Sequence, residues 1–503
     1  MKRVAAVFAF GFLAVEALLP TAPLVAQRFH QQQPGRLQAG GSPSSTSGSF
    51  PAPANSDDLR WGLWPALPLA PYARRKTVMA EVVKGRVWNF DQLQGTLYVN
   101  VPVRMTVVKL GAAAKGATKG AAKGEAAEPP ALFVFAPVAP TKECLRLVRE
   151  LELSEGAKVK YVVLPTIAVE HKVFAGVFAR QFPECKVWHT PGQYSFPLDL
   201  PMPLLGYPVG KTKVLPQDPA QAPWQAAYPG ELDYANLGPF KAKGVGGFGE
   251  TTFFHAPTRT LLSVDAVVKV PTEPPAILQE DPRALIYHAR DDFTEEVADT
   301  PSVRRKGWQR VVLFGLFFMP EALTVVPTEQ CFEDARRTPA AMKSLGWGGL
   351  YPFEWDNAAV VRSFKALQGG SGLLVAPILQ TLILNRKPAK VIEWADKVAS
   401  WDFRRVVPCH LESPIATTPA DFRAAFSFLE ERDASARKQA NAFGPLAGLA
   451  AALGLGQGKG LMSRGRPRPV PVAADLTALE SAEADLVKSG SLFERGEKVK
   501  TRR

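Results

Sequence analysis

Four polar side chains of the types that bind metals come at the ends of apolar, strand-like segments. Glu170 and His171 end one such segment and begin a helix-like stretch, Asp265 ends TLLSVD, and His410 ends VVPCH. Because the carboxyl ends of neighbouring strands meet at one edge of a sheet, we expect these four side chains to converge. Imidazole and carboxylate groups together suit Zn or Fe, so the pattern predicts a metal site.

The position of His171 at the start of a predicted helix gives a second reason to consider it a ligand. The positive end of a helix disfavours protonated imidazole, so it would keep His171 neutral and able to bind a metal. Each of the four residues also has a purely structural interpretation. Either histidine can be a hydrogen-bonded structural residue, Asp265 can cap a turn, and Glu170 can stabilise the helix start.

Two further histidines are candidates for a supporting role at such a site. His189 belongs to the strand-like segment KVWHTP, and His255 lies ten residues before Asp265, on the preceding strand. Each could supply a proton or an extra ligand, and packing in the core is the alternative. The four cysteines form no C-x-x-C pair, which argues against a zinc ribbon, and we expect Cys409 to be a buried small residue.

The elements that must position these residues follow a mixed pattern of strands and helices. The strand-like segments RVWNF, TLYVNVPVRMTVVKL and ALFVFAPV open a domain over residues 81–432, and helices alternate with strands after them. A low-complexity Ala/Gly/Lys insert, residues 111–130, is expected to be a solvated hairpin loop. We predict helices over 141–153, 171–182, 389–401 and 421–432, a Pro-rich loop over 197–240, a strand pair in TTFFHAPTRTLLSVDAVV, and core burial of 311–319.

The two ends of the chain differ in composition from the domain. Residues 1–26 combine a basic pair with a short apolar stretch, as a signal segment does, and residues 27–80 form a transit-like linker. This order predicts import into a plastid (chloroplast), and secretion is the alternative. We expect no transmembrane domain in the mature protein. Residues 433–503 are predicted to be a mostly disordered tail, with a helix near 476–487.

The net charge of +13 is concentrated at these ends. Residues 1–80 carry 8 basic and 3 acidic residues, and residues 433–503 carry 12 basic and 7 acidic ones. The domain between them is nearly neutral, and basic tails are more typical of targeting or solvated segments than of base recognition. We therefore expect no specific nucleic-acid partner, and the expected partner is a small-molecule substrate of unknown identity.

The order of elements and the candidate ligands resemble the metallo-β-lactamase superfamily. In that superfamily a strand ends in H-x-H-x-D-H and leads into a helix, and the corresponding residues here are TIAVEH, ending in Glu170 and His171. The later Asp of the superfamily matches Asp265 in LLSVD, and its final Gly-His strand end matches His410 in PCH. The resemblance implies an α+β protein with a four-layer αβ/βα sandwich and a metal site along one sheet edge.

The sequence departs from the superfamily motif at its first two histidines. Thr166 and Ala168 occupy those positions, which implies that the first metal site is lost and that the remaining site holds one Zn or Fe ion, or none. The resemblance implies a metal-dependent hydrolase that uses metal-bound water as its nucleophile. Two alternatives remain open: a non-catalytic binding or scaffold protein, and redox or oxygen chemistry at a non-haem iron.

A closer resemblance concerns longer phrases of the sequence. The segments VWNFDQLQGTLYVNVPVRMTVVKL, VLPTIAVEHKVFAGVFARQFP, LLVAPILQTLILNRKP and WDFRRVVPCHLESPIA are similar to an uncharacterised family of photosynthetic organisms and bacteria, domain-of-unknown-function family 4336. The resemblance spans roughly residues 82–432, and this family brings no assigned reaction.

Overall fold

Two β-sheets face each other at the centre of the molecule. The computed structural model describes residues 56–59, 75–96, 99–111, 128–194, 200–242, 246–345, 348–430 and 465–489. The first sheet has seven strands in chain order, and the second has five. Four short strands form two small separate sheets of two strands each.

The strands have the following bounds. The first sheet contains β1 (Val78–Val83), β2 (Val87–Thr96), β3 (Val99–Leu110), β4 (Ala131–Phe135), β5 (Lys158–Leu164), β6 (Lys186–His189) and β7 (Thr212–Val214). The second contains, from one edge to the other, β16 (Ile415–Ala416), β15 (Arg405–Pro408), β10 (Thr260–Ser263), β9 (Gly246–His255) and β8 (Leu232–Ala242). The short strands are β11 (Val268–Lys269), β12 (Leu323–Val325), β13 (Phe353–Trp355) and β14 (Leu373–Leu374).

The α-helices of the described residues flank these sheets or form a separate helical region. They are α1 (Lys142–Glu155), α2 (Val169–Ala179), α3 (Ala276–Glu280), α4 (Arg283–Ala289), α5 (Pro301–Phe317), α6 (Thr328–Arg337), α7 (Ala340–Lys343), α8 (Asn357–Ala366), α9 (Pro377–Leu382), α10 (Pro388–Ala399), α11 (Pro419–Ala424) and α12 (Ala473–Lys488). Among the described residues, no helix combines the length and the apolar composition that a bilayer span requires.

The first sheet changes from antiparallel to parallel pairing halfway across. Strands β1 to β4 pair antiparallel, whereas β4 to β7 run parallel. Parallel neighbours need a crossover, and α1 and α2 provide the first two of these. Local signals set the ends of α1, because Thr141 accepts a hydrogen bond from the amide of Cys144 at 3.1 Å and Gly156 adopts a left-handed φ of 59°. The predicted alternation of helices and strands is confirmed.

Side-chain alternation along the strands builds a four-layer sandwich. In β4, Phe133 and Phe135 point into the space between the two sheets, whereas Leu132 and Val134 pack beneath α1 and α2. In β15, Val407 faces the first sheet and Val406 faces α10 and α11. Strands buried on both faces read as continuous apolar runs, which explains the sequence ALFVF. The predicted α+β class and αβ/βα sandwich are confirmed.

The interior of the sandwich is rich in aromatic side chains. Phe253 of β9 packs against Phe133 and Phe135 across the gap between the sheets, with ring centroids 5.2 and 5.8 Å away, respectively. The ring centroids of Trp224 and Phe133 are 5.4 Å apart, and the two ring planes are nearly perpendicular. Edge-to-face aromatic pairs of this kind add about 0.5–1.5 kcal/mol beyond the burial of their area. They bind the two sheets to each other, and therefore support any site built from both.

Residues 276–382 contribute most of a helical region beside the sandwich. The predicted core burial of residues 311–319 is confirmed for its helical part, because Val311, Leu313 and Phe317 of α5 are fully buried in this region. The predicted loop over 197–240 is wrong at its end, where β8 is an eleven-residue edge strand. Pro239 makes this strand hard to predict from the sequence, because proline occurs in sheets only at edge strands and irregularities. Here it lies at an irregularity, since the pairing shifts between Leu237 and Phe240.

Residues 465–489 of the predicted tail pack against the domain. The predicted helix near 476–487 is confirmed as α12, whose Leu479 and Leu486 are buried. Its sequence pattern is weakly amphipathic, so only the tertiary contacts reveal its attachment. The predicted signal segment (1–26), most of the transit-like linker (27–80), residues 112–127 of the predicted insert and the rest of the tail lie outside the described residues.

Candidate metal centre

The four candidate ligands follow the carboxyl ends of three strands. Glu170 and His171 belong to the first turn of α2, which follows the end of β5 after a connection of four residues, 165–168. Asp265 follows β10 and His410 follows β15. These two strands are parallel, and Ser263 pairs with Pro408. Asp265 and His410 each lie two residues beyond that pair, so the register places their side chains next to each other.

The structure brings all four residues together. The Nε2 atoms of His171 and His410 are 3.4 Å apart, and Nε2 of His410 is 3.1 Å from Oδ1 of Asp265. One ligand atom each of Glu170, His171 and His410 lies within 4.8 Å of the others. The convergence expected from the strand ends is therefore present, although the sheets that carry these residues are different.

The orientation of His410 is determined by a backbone acceptor. Its Nδ1 lies 2.8 Å from the carbonyl oxygen of Pro102 in β3. A carbonyl oxygen only accepts hydrogen bonds, so Nδ1 must carry a proton and donate it. Nε2, with its lone pair in the neutral ring, is left to face His171 and Asp265. Metal-binding histidines are held in this way by a hydrogen bond from their second nitrogen.

Burial and neighbouring charges give the two histidines opposite properties. Burial, together with the charge of His410, lowers the pKa of His171 to about 3, so this imidazole is neutral at pH 7. Burial alone would lower the pKa of His410, but the hydrogen bond with Asp265 raises it above the ordinary value. Without a metal ion, the site therefore contains one neutral imidazole and one that favours the protonated form.

The two carboxylates also differ. Burial raises the pKa of Glu170 to about 7, and the charge of Asp265 adds to the effect. Burial would raise the pKa of Asp265 as well, but its hydrogen bond with His410 holds it below the usual value. Asp265 is thus the permanent negative charge of the site, and Glu170 is a carboxyl group that can hold or release a proton near neutral pH.

The donor set and its spacing fit a Zn or Fe ion. Ligand atoms about 2.0–2.2 Å from a tetrahedral ion are separated from each other by about 3.4 Å. The distance of 3.4 Å between the two Nε2 atoms agrees with this value, and that of 3.1 Å from His410 to Asp265 is slightly shorter. Two imidazoles with one or two carboxylates are a ligand set for either metal.

The positions of the first two motif histidines offer no ligand. The hydroxyl of Thr166 turns back to accept a hydrogen bond from the amide of Ala168 at 3.1 Å, and Ala168 has only a methyl group. Thr166 is also buried. The local structure is thus consistent with a single site formed by the residues that remain.

The two further histidines lie outside the ligand cluster. His189 ends β6 at the same sheet edge, and its Nδ1 is 3.0 Å from the carbonyl oxygen of Thr190. His255 pairs with Thr260 at the opposite end of β10, where its Nδ1 contacts the hydroxyl of Thr258 at 2.7 Å. His255 therefore belongs to the core beyond the reach of the site. Cys409 is buried as expected, and burial raises the pKa of its thiol well above the ordinary value.

Two buried charged residues beside the site escaped the sequence interpretation. Arg104 donates to the carbonyl oxygens of Pro408 at 2.7 Å and Leu411 at 3.1 Å, on both sides of His410, and its Nε is 2.7 Å from Oδ1 of Asp91. Glu250 of β9 is fully buried next to Asp265. Each is a charged residue among the apolar and small residues of a strand-like segment, which is rare in buried strands and was the available signal.

A sandwich of two facing sheets, covered by helices on both outer sides and carrying metal-ligand side chains at one edge, is a metallo-β-lactamase-type architecture. Residues 84–428 match the family described as a domain of unknown function, DUF4336. The match covers more than half of the chain, so the protein belongs to this family. No curated protein shows a significant sequence match to the chain.

The chain is also similar to several solved structures. One is a metal-soaked flavodiiron core from Synechocystis sp. PCC6803, with 9% identity, a TM-score of 0.33 and coverage of 71% of this chain and 62% of that one. Another is a metallo-β-lactamase from Hirschia baltica, with 8% identity, a TM-score of 0.29 and coverage of 70% and 97%. A third is the metallo-β-lactamase FIM-1 from Pseudomonas aeruginosa in its mono-zinc form, with 8% identity, a TM-score of 0.29 and coverage of 71% and 95%. The chain spans about three fifths of the length of the flavodiiron core.

Proposed function

We propose that the protein binds one Zn or Fe ion through Glu170, His171 and His410, with Asp265 beside them, and acts as a metal-dependent hydrolase. The observation that carries this proposal is the pair of Nε2 atoms 3.4 Å apart in a partly buried site. The carbonyl of Pro102 holds His410 in the tautomer that presents Nε2. Two imidazole lone pairs facing each other repel, and either a proton or a metal ion between them removes the repulsion.

The number of ligands supports a catalytic more than a structural role. Catalytic zinc sites in proteins use three protein ligands and leave one position open, whereas structural sites use four. Glu170, His171 and His410 supply three, while Asp265 is engaged with His410. When bound, the ion would lower the pKa of a coordinated water and so supply a nucleophile near neutral pH. Burial raises the pKa of Glu170 to about 7 in the metal-free protein, so Glu170 would release its proton when it binds the ion.

The test is the metal content of the full chain, measured by elemental mass spectrometry. We expect about one Zn or Fe per chain, and loss of that ion in His171→Ala and in His410→Ala. His255→Gln is the matched control, because His255 is as buried as His171 but belongs to β9 and pairs with Thr260, at the end of β10 remote from the site. Equal metal content in all four proteins, or none in any, would remove the proposal. The identity of the ion separates zinc hydrolase chemistry from iron redox chemistry.

A second candidate is a non-catalytic binding or scaffold protein. It is favoured by Thr166 and Ala168, which supply no ligand at the first motif positions, and by the direct contact of His410 with Asp265. That contact already neutralises a protonated His410 without any ion. A metal-dependent turnover that disappears in Asp265→Ala would exclude this candidate, whereas a metal-free protein with no hydrolase activity would favour it.

A further inference from the structure

Glu250 is a fully buried carboxylate that no step of the proposed chemistry uses. It lies in β9, and Asp265 follows the neighbouring strand β10. We propose that Glu250 is a positioning residue, which anchors the turn that carries Asp265 and thereby sets the geometry of the ligand cluster. This inference rests on the proposed function where it concerns metal binding, and on the fold alone where it concerns the turn.

Both carboxylate oxygens of Glu250 are used by the turn after β10. Oε1 accepts from the hydroxyl of Ser263 at 2.7 Å and from the amide of Val264 at 2.8 Å. Oε2 accepts from the amides of Asp265 and Ala266, each at 2.8 Å. Thr252 adds a hydroxyl to Oε1 at 3.1 Å. Three successive amides of one turn therefore point at a single carboxylate.

Successive amides of this kind form a concave binding site for an anion. Here the anion is a side chain of the protein itself, and all five partners donate to it. Hydrogen bonds to a charged acceptor are roughly twice as strong as neutral ones. Because the amide of Asp265 is one of the donors, the backbone of Asp265 is held in place at the point from which its Oδ1 lies 3.1 Å from Nε2 of His410.

The same short stretch of β9 also holds the other ligand-bearing connection. The carbonyl of Gly249 accepts from the amide of Ile167 at 3.0 Å, and the amide of Thr251 donates to the carbonyl of Pro165 at 2.7 Å. These bonds join β9 of the second sheet to the segment of the first sheet that leads into Glu170 and His171. Backbone contacts of β9 thus hold the connection to Glu170 and His171, and the Glu250 side chain holds the turn that carries Asp265.

The distinguishing variant is Glu250→Gln, which keeps the shape of the side chain. In glutamine, an NH₂ group replaces one of the two carboxylate oxygens. This group only donates hydrogen bonds, so it cannot accept from the backbone amides of the turn, and one of the two acceptor oxygens is lost. Ser263→Ala is the matched control, because it removes one hydroxyl donor and leaves the three amides with their acceptor. Glu250→Asp is the second variant; it keeps the charge but is one methylene shorter.

The metal-independent readout is amide hydrogen exchange in the full chain. We expect the amides of Val264, Asp265 and Ala266 to exchange at least tenfold faster in Glu250→Gln than in the wild type, with little change in Ser263→Ala. Unchanged exchange of these amides in a folded Glu250→Gln protein would overturn the inference. If Glu250→Gln does not fold, the same comparison in Glu250→Asp decides.

The second readout is metal affinity, measured by titration with Co²⁺ and followed by its absorption spectrum. Loss of a residue that orients a ligand typically weakens metal binding 10–100-fold, and we expect a loss in this range with an altered spectrum. A merely structural role would lower the melting temperature but leave the affinity and spectrum of the folded protein unchanged, and this result would overturn the inference. If the wild type binds no Co²⁺, Zn²⁺ or Fe²⁺, the proposed function fails, and the exchange experiment still decides the role of Glu250.

Discussion

The Nε2 atoms of His171 and His410 face each other at 3.4 Å, although 239 residues separate them in the chain. His171 follows a strand of the first sheet and His410 follows a strand of the second, so the two imidazoles meet only when the two sheets are packed together. His171 is neutral because burial lowers its pKa to about 3, whereas His410 favours its protonated form beside Asp265. In the metal-free protein, the site therefore holds one proton at the position where a metal ion would bind.

The first prediction concerns the stability of the metal-free protein as a function of pH. Although burial opposes it, the contact with Asp265 raises the pKa of His410 in the folded state. A raised histidine pKa contributes stability that is fully present below the unfolded pKa and is lost as pH rises through the folded pKa. We expect the free energy of unfolding to fall with rising pH above about 6.5, by more in the wild type than in His410→Gln.

Urea unfolding in the presence of a chelator, at pH values from about 6 to about 9, measures this difference. The contribution of Asp265 to the free energy of unfolding depends on pH in the opposite sense, because the pKa of Asp265 lies below the usual value. Its contribution is present above the unfolded pKa and is lost as pH falls through the folded one. Parallel pH profiles for the wild type and His410→Gln would contradict the assigned ion pair.

The second prediction concerns Arg104, whose guanidinium binds the carbonyls on both sides of His410 and pairs with Asp91. Replacing one partner of a buried ion pair leaves the other charge uncompensated, at a cost of about 3–5 kcal/mol. Since Asp91 keeps partial solvent exposure, we expect Arg104→Leu to lose roughly 2–4 kcal/mol in urea unfolding. Metal affinity should fall as well, because the loop that carries His410 loses two anchors.

The double variant Arg104→Leu with Asp91→Leu separates these two effects. It removes the uncompensated carboxylate, so it should regain much of the lost stability. It does not restore the donors to Pro408 and Leu411, so metal affinity should stay low. Recovery of both properties would show that Arg104 acts only through its ion pair.

The third prediction concerns the attachment of α12. Arg386 and Glu483 form an ion pair at 2.6 Å with both side chains less than one tenth exposed, and Asp475 accepts from the amide of Glu321 at 3.0 Å. We expect Arg386→Met to leave Glu483 buried without its cation and to release the helix. Amide exchange of residues 473–488 should then become at least tenfold faster, while the strands of the sandwich keep their protection.

The double variant Arg386→Met with Glu483→Met is the control for this experiment. It replaces the buried pair with apolar side chains of similar length, which is often neutral or stabilising. Slow exchange of α12 should therefore return. Fast exchange in the wild type itself would contradict the attachment described for residues 465–489.

The fourth prediction concerns targeting. We propose that residues 1–80 direct the chain to a plastid, on the basis of the signal-like and transit-like composition of residues 1–26 and 27–80. A fusion of residues 1–80 to a fluorescent protein should accumulate in plastids of a plastid-bearing cell, and a fusion that starts at residue 27 should not. Secretion of the first fusion into the medium would favour the alternative.

Much of the fold could be predicted from local sequence. The apolar run ALFVF indicates a strand buried on both faces, and Thr141 and Gly156 mark the two ends of α1. The candidate ligands could be identified as well, because each is a polar residue at the end of an apolar, strand-like segment of the sequence. Strand β8 was missed because Pro239 and its neighbouring glycine resemble a loop, and the docking of α12 was missed because its partners are distant in the chain.

Local sequence patterns establish which side chains come at strand ends and therefore which residues can meet at the sheet edge. That they do meet depends on the folded protein, because the pairing of Ser263 with Pro408 aligns Asp265 with His410 and the packing of the two sheets brings His171 to them. The supporting roles of Arg104 and Glu250 were decided there too. A buried charge is interpretable only through its partners, and those partners lie on strands that the sequence does not place next to one another.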